Sequence, residues 1–233
     1  MKADQNWRLV SLLFLCPYPI IFDSLFFKVL KKTAFKYDGE LTAFLKKAVE
    51  YADAFSHFSF FQSNNIPYPF EPFKTLIAIG ARALLTPTHS NFEALAHFHQ
   101  DDWLFGFLGY DLKNELENLT SHHTNHEKFG AIGFFKPQVL IEVDGPVIHI
   151  TAEDPSTVWQ TIESTVVSEV APIDVGNIQS KISRSEYIAT VQKLRSHIEE
   201  GDLYEINFCQ EFYGDIKALK PVDVYWALNT ASP

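Results

Sequence analysis

Apolar residues recur every three or four positions near the C-terminal end of the chain, and this spacing predicts an amphipathic helix over 183–200. The helix begins with a capping-box pattern, Ser183 followed by Glu186. It ends before Gly201, the residue type that most often stops a helix because it accepts a left-handed backbone. The apolar stripe consists of Ile188, Val191, Leu194 and Ile198.

The period changes from helical to alternating directly after Gly201, which predicts a strand over 203–210. One face of this strand is apolar and the other is polar and carries an acid. Such a strand is typical of the floor of a polar pocket, so Glu205, Asn207 and Gln210 are candidates to face a small polar substrate. Cys209 falls in the same alternation and is predicted to be a small buried residue.

The remainder of the chain predicts antiparallel strands mixed with helices. Gly106 and Gly109 in one strand leave room for a second backbone or a ligand to come close. A hairpin is predicted with a type I′ turn at Asp144-Gly145. Without a regular alternation of strand and helix, this mixture favours the α+β class. The predicted helices are 38–54, 91–98, 111–119 and 154–168, the predicted strands are 58–62, 75–81, 103–110, 139–143 and 147–151, an extended loop is predicted over 66–73, and a linker over 170–180.

Composition limits the partners and the setting of the protein. The chain has 233 residues, 46% of them hydrophobic, and a net charge of -10, which argues against nucleic acid and anionic membranes as partners. An anionic small substrate remains compatible, because an acidic protein can hold a local basic pocket. Two cysteines give no disulfide framework, so a reduced, cytoplasmic setting is expected. The apolar run at 9–16 is too short to span a bilayer.

Histidines give only a weak indication of a metal site. His122, His123 and His126 lie in a polar stretch with Glu127. Two histidines four residues apart and a nearby acid are a combination that can bind zinc. No cysteine or regularly spaced fourth ligand accompanies them, and a solvated loop is the favoured interpretation.

Two segments resemble the chorismate-binding enzymes, the family of component I of anthranilate synthase, component I of aminodeoxychorismate synthase and the isochorismate and salicylate synthases. The stretch 183–212 is similar to the opening of their chorismate-binding domain, and the stretch 105–112, followed by Glu115 or Glu117, is similar to their "G-x-x-G-Y-D-L…E" element. A softer similarity involves Tyr225, Leu228, Asn229, Ser232 and Pro233. The matched positions of the first stretch are Ser183, Glu186, Tyr187, Val191, Lys193, Ile198, Gly201, Asp202, Leu203, Tyr204, Asn207, Gln210 and Phe212.

The resemblance implies a layered sandwich of two antiparallel sheets with outer helices. It also implies an N-terminal extension over 1–32, the N-terminal region of a component I over 33–170, a linker over 171–181 and the start of a chorismate-binding domain over 182–233. The family's ligands for Mg²⁺ and its catalytic histidine are expected beyond residue 233. The chain is therefore expected to be truncated and unable to convert chorismate by itself.

Residue roles follow from the same resemblance. Glu205 is the predicted catalytic residue, at a position where the aminating enzymes usually have Gln and the isochorismate synthases have Lys. A glutamate there can accept a proton from ammonium or bond to a ring hydroxyl, although an ionised one repels a dianionic substrate unless Mg²⁺ or a raised pKa offsets the charge. Asn207 and Gln210 are predicted to bind substrate, and Asp202 is favoured as a structural residue. Ser63 occupies the place of a regulatory "L-E-S" element.

Among the branches of the family, aminodeoxychorismate synthase component I is favoured. Residues 68–73 and 76–81 suit that branch, and the "R-Y-S-x-x-G" element of many anthranilate enzymes is missing. Anthranilate synthase component I is second, and Glu205 in place of Lys disfavours an isochorismate-type enzyme. The expected partners are chorismate and a glutamine amidotransferase subunit that supplies ammonia. Two other readings stay open: a non-catalytic module that binds the amidotransferase, and an unrelated α+β binding protein.

Overall fold

The computed structural model describes residues 29–64, 66, 75–86, 89–117, 119–120, 130–169, 176–215 and 219–232. The chain divides into two compact units, 1–169 with 228–233 and 170–227, and each is described by itself. The division predicted from the sequence, with boundaries at 32, 170 and 181, stays a prediction. Three predicted features fall wholly or mostly outside the described residues: residues 67–73 of the predicted loop 66–73, the histidines His122, His123 and His126, and the apolar run 9–16.

The first unit contains six strands and four helices in the part that the structure describes. A single 3-10 turn, Tyr110–Leu112, leads into the third helix. The strands are β1 (Lys31–Lys36), β2 (Phe58–Phe61), β3 (Thr75–Leu85), β4 (Phe105–Leu108), β5 (Ile132–Asp144) and β6 (Val147–Ala152), and the helices are α1 (Leu41–Asp53), α2 (Asn91–His99), α3 (Lys113–Leu116) and α4 (Pro155–Ser164).

The six strands of the first unit form one antiparallel sheet, in which β1-β6-β5-β3-β2 are successive neighbours and β4 also pairs with β5. The long strand β5 pairs with β3 on one side. On its other side, β4 pairs with the first part of β5 and β6 with the last part. The predicted α+β class with antiparallel pairing is confirmed.

The main core lies between this sheet and two helices. Ile77, Ile141 and Ile150 are neighbours in register on β3, β5 and β6, and each is fully buried. Helices α1 and α4 contact the sheet and each other, and Trp159 of α4 stacks on Phe44 of α1 with ring centroids 5.5 Å apart. The buried face of α1 is the predicted one: Phe44, Leu45, Ala48, Val49 and Ala52.

The hairpin between β5 and β6 is formed, but its predicted turn type is wrong. Asp144 pairs with Val147, so Gly145 and Pro146 are the two central residues. Type I′ requires positive φ at both positions. Gly145 has φ 57°, whereas the proline ring holds Pro146 at negative φ. The turn therefore has positive φ only at its first central residue, as type II′ does.

Several strands and helices also begin or end at residues that differ from the predicted ones. Strand β3 was predicted to end at 81, yet it runs to Leu85 past a register shift between Ala81 and Ala83. Gly80, at φ 67°, precedes this irregularity, so the glycine marks a bend inside the strand and not its end. Strand β4 is shorter than predicted. Helix α4 ends at Ser164 and not at 168, because Thr165 has an extended backbone with φ -65° and ψ 129°.

Candidate functional site

The second unit is built around the predicted helix, α5 (Arg184–Glu200), and a two-stranded ladder of β7 (Gln179–Ser180) and β8 (Phe212–Tyr213). The capping box is formed: the Glu186 amide donates to Ser183 Oγ at 3.2 Å, and the Ser183 amide donates to Glu186 Oε2 at 2.8 Å. Gly201 ends the helix in the left-handed conformation, with φ 83°. Both cap predictions are confirmed. Helix α6 (Pro221–Ala231) follows the ladder.

The capping box makes the stability of this helix sensitive to acid. Hydrogen bonds from the Ser183 side chain and backbone hold the pKa of Glu186 below its ordinary value of 4.5. A lowered folded-state pKa means that the stabilisation is present above about pH 4.5 and is lost as the pH falls through the lowered pKa. We expect helicity to fall in this acid range, and Glu186→Gln to remove part of that fall. Circular dichroism at pH 2–6 measures it, and an identical acid profile for Glu186→Gln would contradict the expectation.

The predicted strand over 203–210 is wrong. The segment is assigned to no strand and bends at Tyr204, and in the described part of this unit Phe212–Tyr213 is the stretch after α5 that joins a ladder. A strand requires a neighbouring backbone for its hydrogen bonds, and the described residues supply one only to β8.

Three contacts hold this segment as it runs back along α5. The ring of Phe208 stacks on Tyr187 of the first helical turns, with centroids 5.2 Å apart and planes 29° apart. Gln210 Nε2 donates to the Ile182 carbonyl at 3.2 Å. The Lys181 amide donates to the Glu211 carbonyl at 2.9 Å. The segment is therefore fixed from Phe208 onward and less constrained near Glu205.

The candidate substrate residues of this segment are not gathered into a pocket by the described residues. Glu205 and Asn207 are exposed. Neither side chain has a hydrogen-bond partner within the described ranges. Gln210 uses its amide to anchor the backbone. Ser63 lies half-buried two residues beyond β2. The roles assigned to Glu205, Asn207, Gln210 and Ser63 stay predictions.

Cys209 departs from the sequence prediction. It was predicted to be buried, yet it is exposed and its thiol is free. The prediction assumed that Cys209 alternates with core positions in a strand, and that strand is not formed. The thiol therefore lies where solvent reaches it.

Asp202 has a structural role at the end of α5, as favoured from the sequence. Its Oδ2 lies 2.8 Å from His197 Nδ1, and its amide donates to the His197 carbonyl at 2.9 Å. These contacts close the turn that follows the helix.

The same turn holds the one group of three possible metal ligands in the described part of the chain, His197, Glu200 and Asp202. This group does not fit the Mg²⁺ expected from the resemblance. Mg²⁺ prefers oxygen ligands in octahedral geometry, whereas one of these ligands is an imidazole already hydrogen-bonded to Asp202. Magnesium stays a prediction, and no step of the chemistry is derived through it.

Helix α5 leaves its apolar stripe partly exposed, with Val191 and Leu194 half-buried. None of its residues is buried, and Ile188 and Ile198 are 38% and 39% exposed. Leu203, Ile206 and Phe212 on the returning segment are exposed as well. The described residues of this unit therefore do not enclose the predicted polar site.

The second motif of the sequence, at 105–115, forms a tight backbone junction in the first unit. A Cβ added to Gly106 would lie 2.0 Å from the Gly133 carbonyl oxygen, and the Gly109 amide donates to the Ala131 carbonyl at 2.8 Å. The prediction that these glycines admit a second backbone is confirmed.

Gly106→Ala is expected to lower the free energy of unfolding by about 3 kcal/mol, because the methyl group overlaps backbone atoms that cannot rotate away. Gly201→Asn is the control: nothing lies within 4 Å of an added Cβ there, and asparagine accepts its left-handed backbone of φ 83° and ψ 10°, so about 1 kcal/mol or less is expected. Urea denaturation followed by tryptophan fluorescence compares the two variants. An equal loss of unfolding free energy in the two variants would show that the backbone junction at Gly106 can relax.

Glu115 of the same motif has a role that the sequence analysis missed. Its Oε2 accepts the Asn91 amide at 3.0 Å, and its Oε1 accepts Asn91 Nδ2. The carboxylate thus satisfies a donor at the start of α2, where helices lack internal partners. The motif places an acid at this position, but only the tertiary structure shows what it binds.

No helix in the described ranges is long and apolar enough to cross a membrane.

The structure has an antiparallel α+β unit and a capped helix that ends in a glycine turn. Both features agree with the class of protein that the chorismate motifs predict. The chain belongs to the chorismate binding enzyme family, whose model matches residues 51–233. Anthranilate synthase component 1 of Cereibacter sphaeroides is 23% identical over 153 residues, which are 56% of this chain and 30% of that protein. The aligned part therefore spans under a third of that curated relative.

Proposed function

We propose that this chain is part of an aminodeoxychorismate synthase component I, which converts chorismate and ammonia to 4-amino-4-deoxychorismate. In this proposal a glutamine amidotransferase subunit supplies the ammonia. The observation that carries the proposal is the family match, which runs through the capped helix and the glycine turn at Ser183–Phe212. Because the alignment with the relative covers 30% of its length, the activity is proposed for the natural polypeptide that contains these residues.

The exposed carboxylate of Glu205 suits a proton-transfer role. It has no competing partner in the described residues, so it is free to accept a proton from ammonium or to bond to a ring hydroxyl. Asn207, on the same unpaired segment, is proposed to orient the substrate. Gln210 contributes indirectly in this arrangement, because its amide fixes the backbone behind them at the Ile182 carbonyl.

Anthranilate synthase component I is the second candidate. The observation that favours it is the relative of that name, at 23% identity over 153 residues. Both activities use the same substrate and ammonia in this proposal and differ in the product released.

Product analysis separates the two candidates. The natural gene product that contains this sequence is incubated with chorismate, ammonium and magnesium, and the products are resolved by chromatography with mass detection. We expect 4-amino-4-deoxychorismate. Anthranilate would favour the second candidate, and the absence of any aminated product would contradict both.

The 233-residue chain by itself is expected to give no aminated product above a protein-free control. The reason is physical: Glu205 and Asn207 are exposed to water in the second unit, and a reaction of this kind requires an enclosed, preorganised site. The same chromatographic assay tests this, with the natural gene product as the positive control. Appreciable turnover by the 233-residue chain would refute the expectation.

A further inference from the structure

An open cavity of about 370 Å³ lies between α2 and β4 in the first unit. Gln100 and Asp101 hold left-handed φ values of 46° and 56°, so the chain turns sharply as it leaves α2. This turn lets side chains that are close in sequence line the same cavity. Its lining residues are His99, Asp101, Asp102, Trp103 and Leu104.

One acid of the cavity, Asp102, is already neutralised. It forms an ion pair with Arg82, and Lys136 Nζ lies 3.7 Å from the same oxygen. Its other oxygen accepts the Trp103 amide at 2.9 Å. The ammonium of Lys136 also lies over the ring of Phe98, 5.0 Å from its centroid. Both cations thus face Asp102, and neither lines the cavity.

The polar groups of the lining left to meet a ligand are the Asp101 carboxylate, the Trp103 indole and the exposed His99 imidazole, and the first two carry the argument. Asp101 is exposed and has no ion-pair partner within the described residues. Trp103 is 52% exposed, and its ring stacks on the buried Phe105 with centroids 5.9 Å apart and planes 17° apart. The indole is therefore held in place while much of its surface faces solvent.

A fixed aromatic face beside a free carboxylate is the combination that attracts an organic cation, through the ring quadrupole and through charge. An anion would be repelled by Asp101. A net charge of -10 on the whole chain also favours the approach of cations.

We propose that this cavity binds an alkylammonium or guanidinium group, the group carried by lysine and arginine side chains and by free polyamines. The site belongs to the first unit, whereas Glu205 belongs to the second, and the proposal does not depend on the proposed function.

The test uses the indole N–H resonance of Trp103 in the nitrogen-15 spectrum of the 233-residue chain, assigned with Trp103→Phe. The probe is Nα-acetyl-lysine amide, and Nα-acetyl-norleucine amide is its uncharged control. We expect a saturable shift from the lysine derivative with an affinity at least about fivefold higher than that of the norleucine derivative. Equal responses to the two compounds would overturn the proposal.

Asp101→Asn tests the carboxylate without changing the turn, because asparagine accepts left-handed φ. It is expected to weaken the lysine response about fivefold. Glu163→Gln removes one charge from an exposed position on α4 and is expected to leave the response unchanged. An unchanged response in Asp101→Asn, with the rest of the spectrum preserved, would also overturn the proposal.

Two further probes distinguish the source of the cation. A pentapeptide with a central lysine between glycines that binds more tightly than the free derivative identifies a polypeptide partner. Spermidine that binds more tightly identifies a small polyamine. Equal affinities support recognition of the charged group alone.

Discussion

Glu205→Ala is expected to lower kcat about 100-fold for chorismate amination by the natural gene product, while KM changes little. The expectation rests on the proposed proton-transfer role, since a positioned general base or acid contributes at least about 100-fold. Steady-state rates of product formation at several chorismate concentrations measure it.

The matched control for this variant is Glu199→Ala. Glu199 is an exposed carboxylate on α5 of the same unit, 3.6 Å from Arg195, and its loss is expected to change kcat less than twofold because exposed pairs contribute little. A similar fall in both variants would point to a general effect of charge. Full activity in Glu205→Ala would remove Glu205 from the chemistry.

Ile141→Ala is expected to lower the free energy of unfolding of the first unit by about 3 kcal/mol. Ile141 lies at the centre of the sheet between Ile77 and Ile150, with no exposed surface. The smaller side chain loses burial and leaves a cavity in a packed core, and both terms destabilise.

Urea denaturation gives this value, and Val166→Ala serves as its control. Val166 is 84% exposed, so its truncation is expected to change stability by less than about 0.5 kcal/mol. A loss below about 1 kcal/mol for Ile141→Ala would mean that the surrounding strands close the cavity.

The features that sequence reasoning predicted correctly are local ones. The capping box of Ser183 and Glu186 and the stop at Gly201 depend on residues within one turn of each other. The buried face of α1 follows from its period. The close approach at Gly106 follows from the missing side chain.

The features that it predicted wrongly depend on partners elsewhere in the chain or on one neighbouring residue. The alternation at 203–210 is real in the sequence, but a strand exists only where another backbone pairs with it, and so Cys209 is exposed instead of buried. The turn at Gly145 was assigned from two residues, while the ring of Pro146 decides its type. The bond from Asn91 to Glu115 joins positions 24 residues apart, and no local pattern indicates it.

Strand β5 has neighbours along both sides, with β3 on one side and β4 and β6 in succession on the other. On that second side β4 pairs with 132–135 and β6 with 140–144. The amide protons of β5 that bond to these inner neighbours are therefore expected to exchange only in large openings of the sheet, and their deuterium uptake reports those openings. The ladder of β7 and β8 has only two residue pairs, so its amides take up deuterium through small local openings. Deuterium uptake is therefore expected to be slow in β5 and fast in the ladder of β7 and β8.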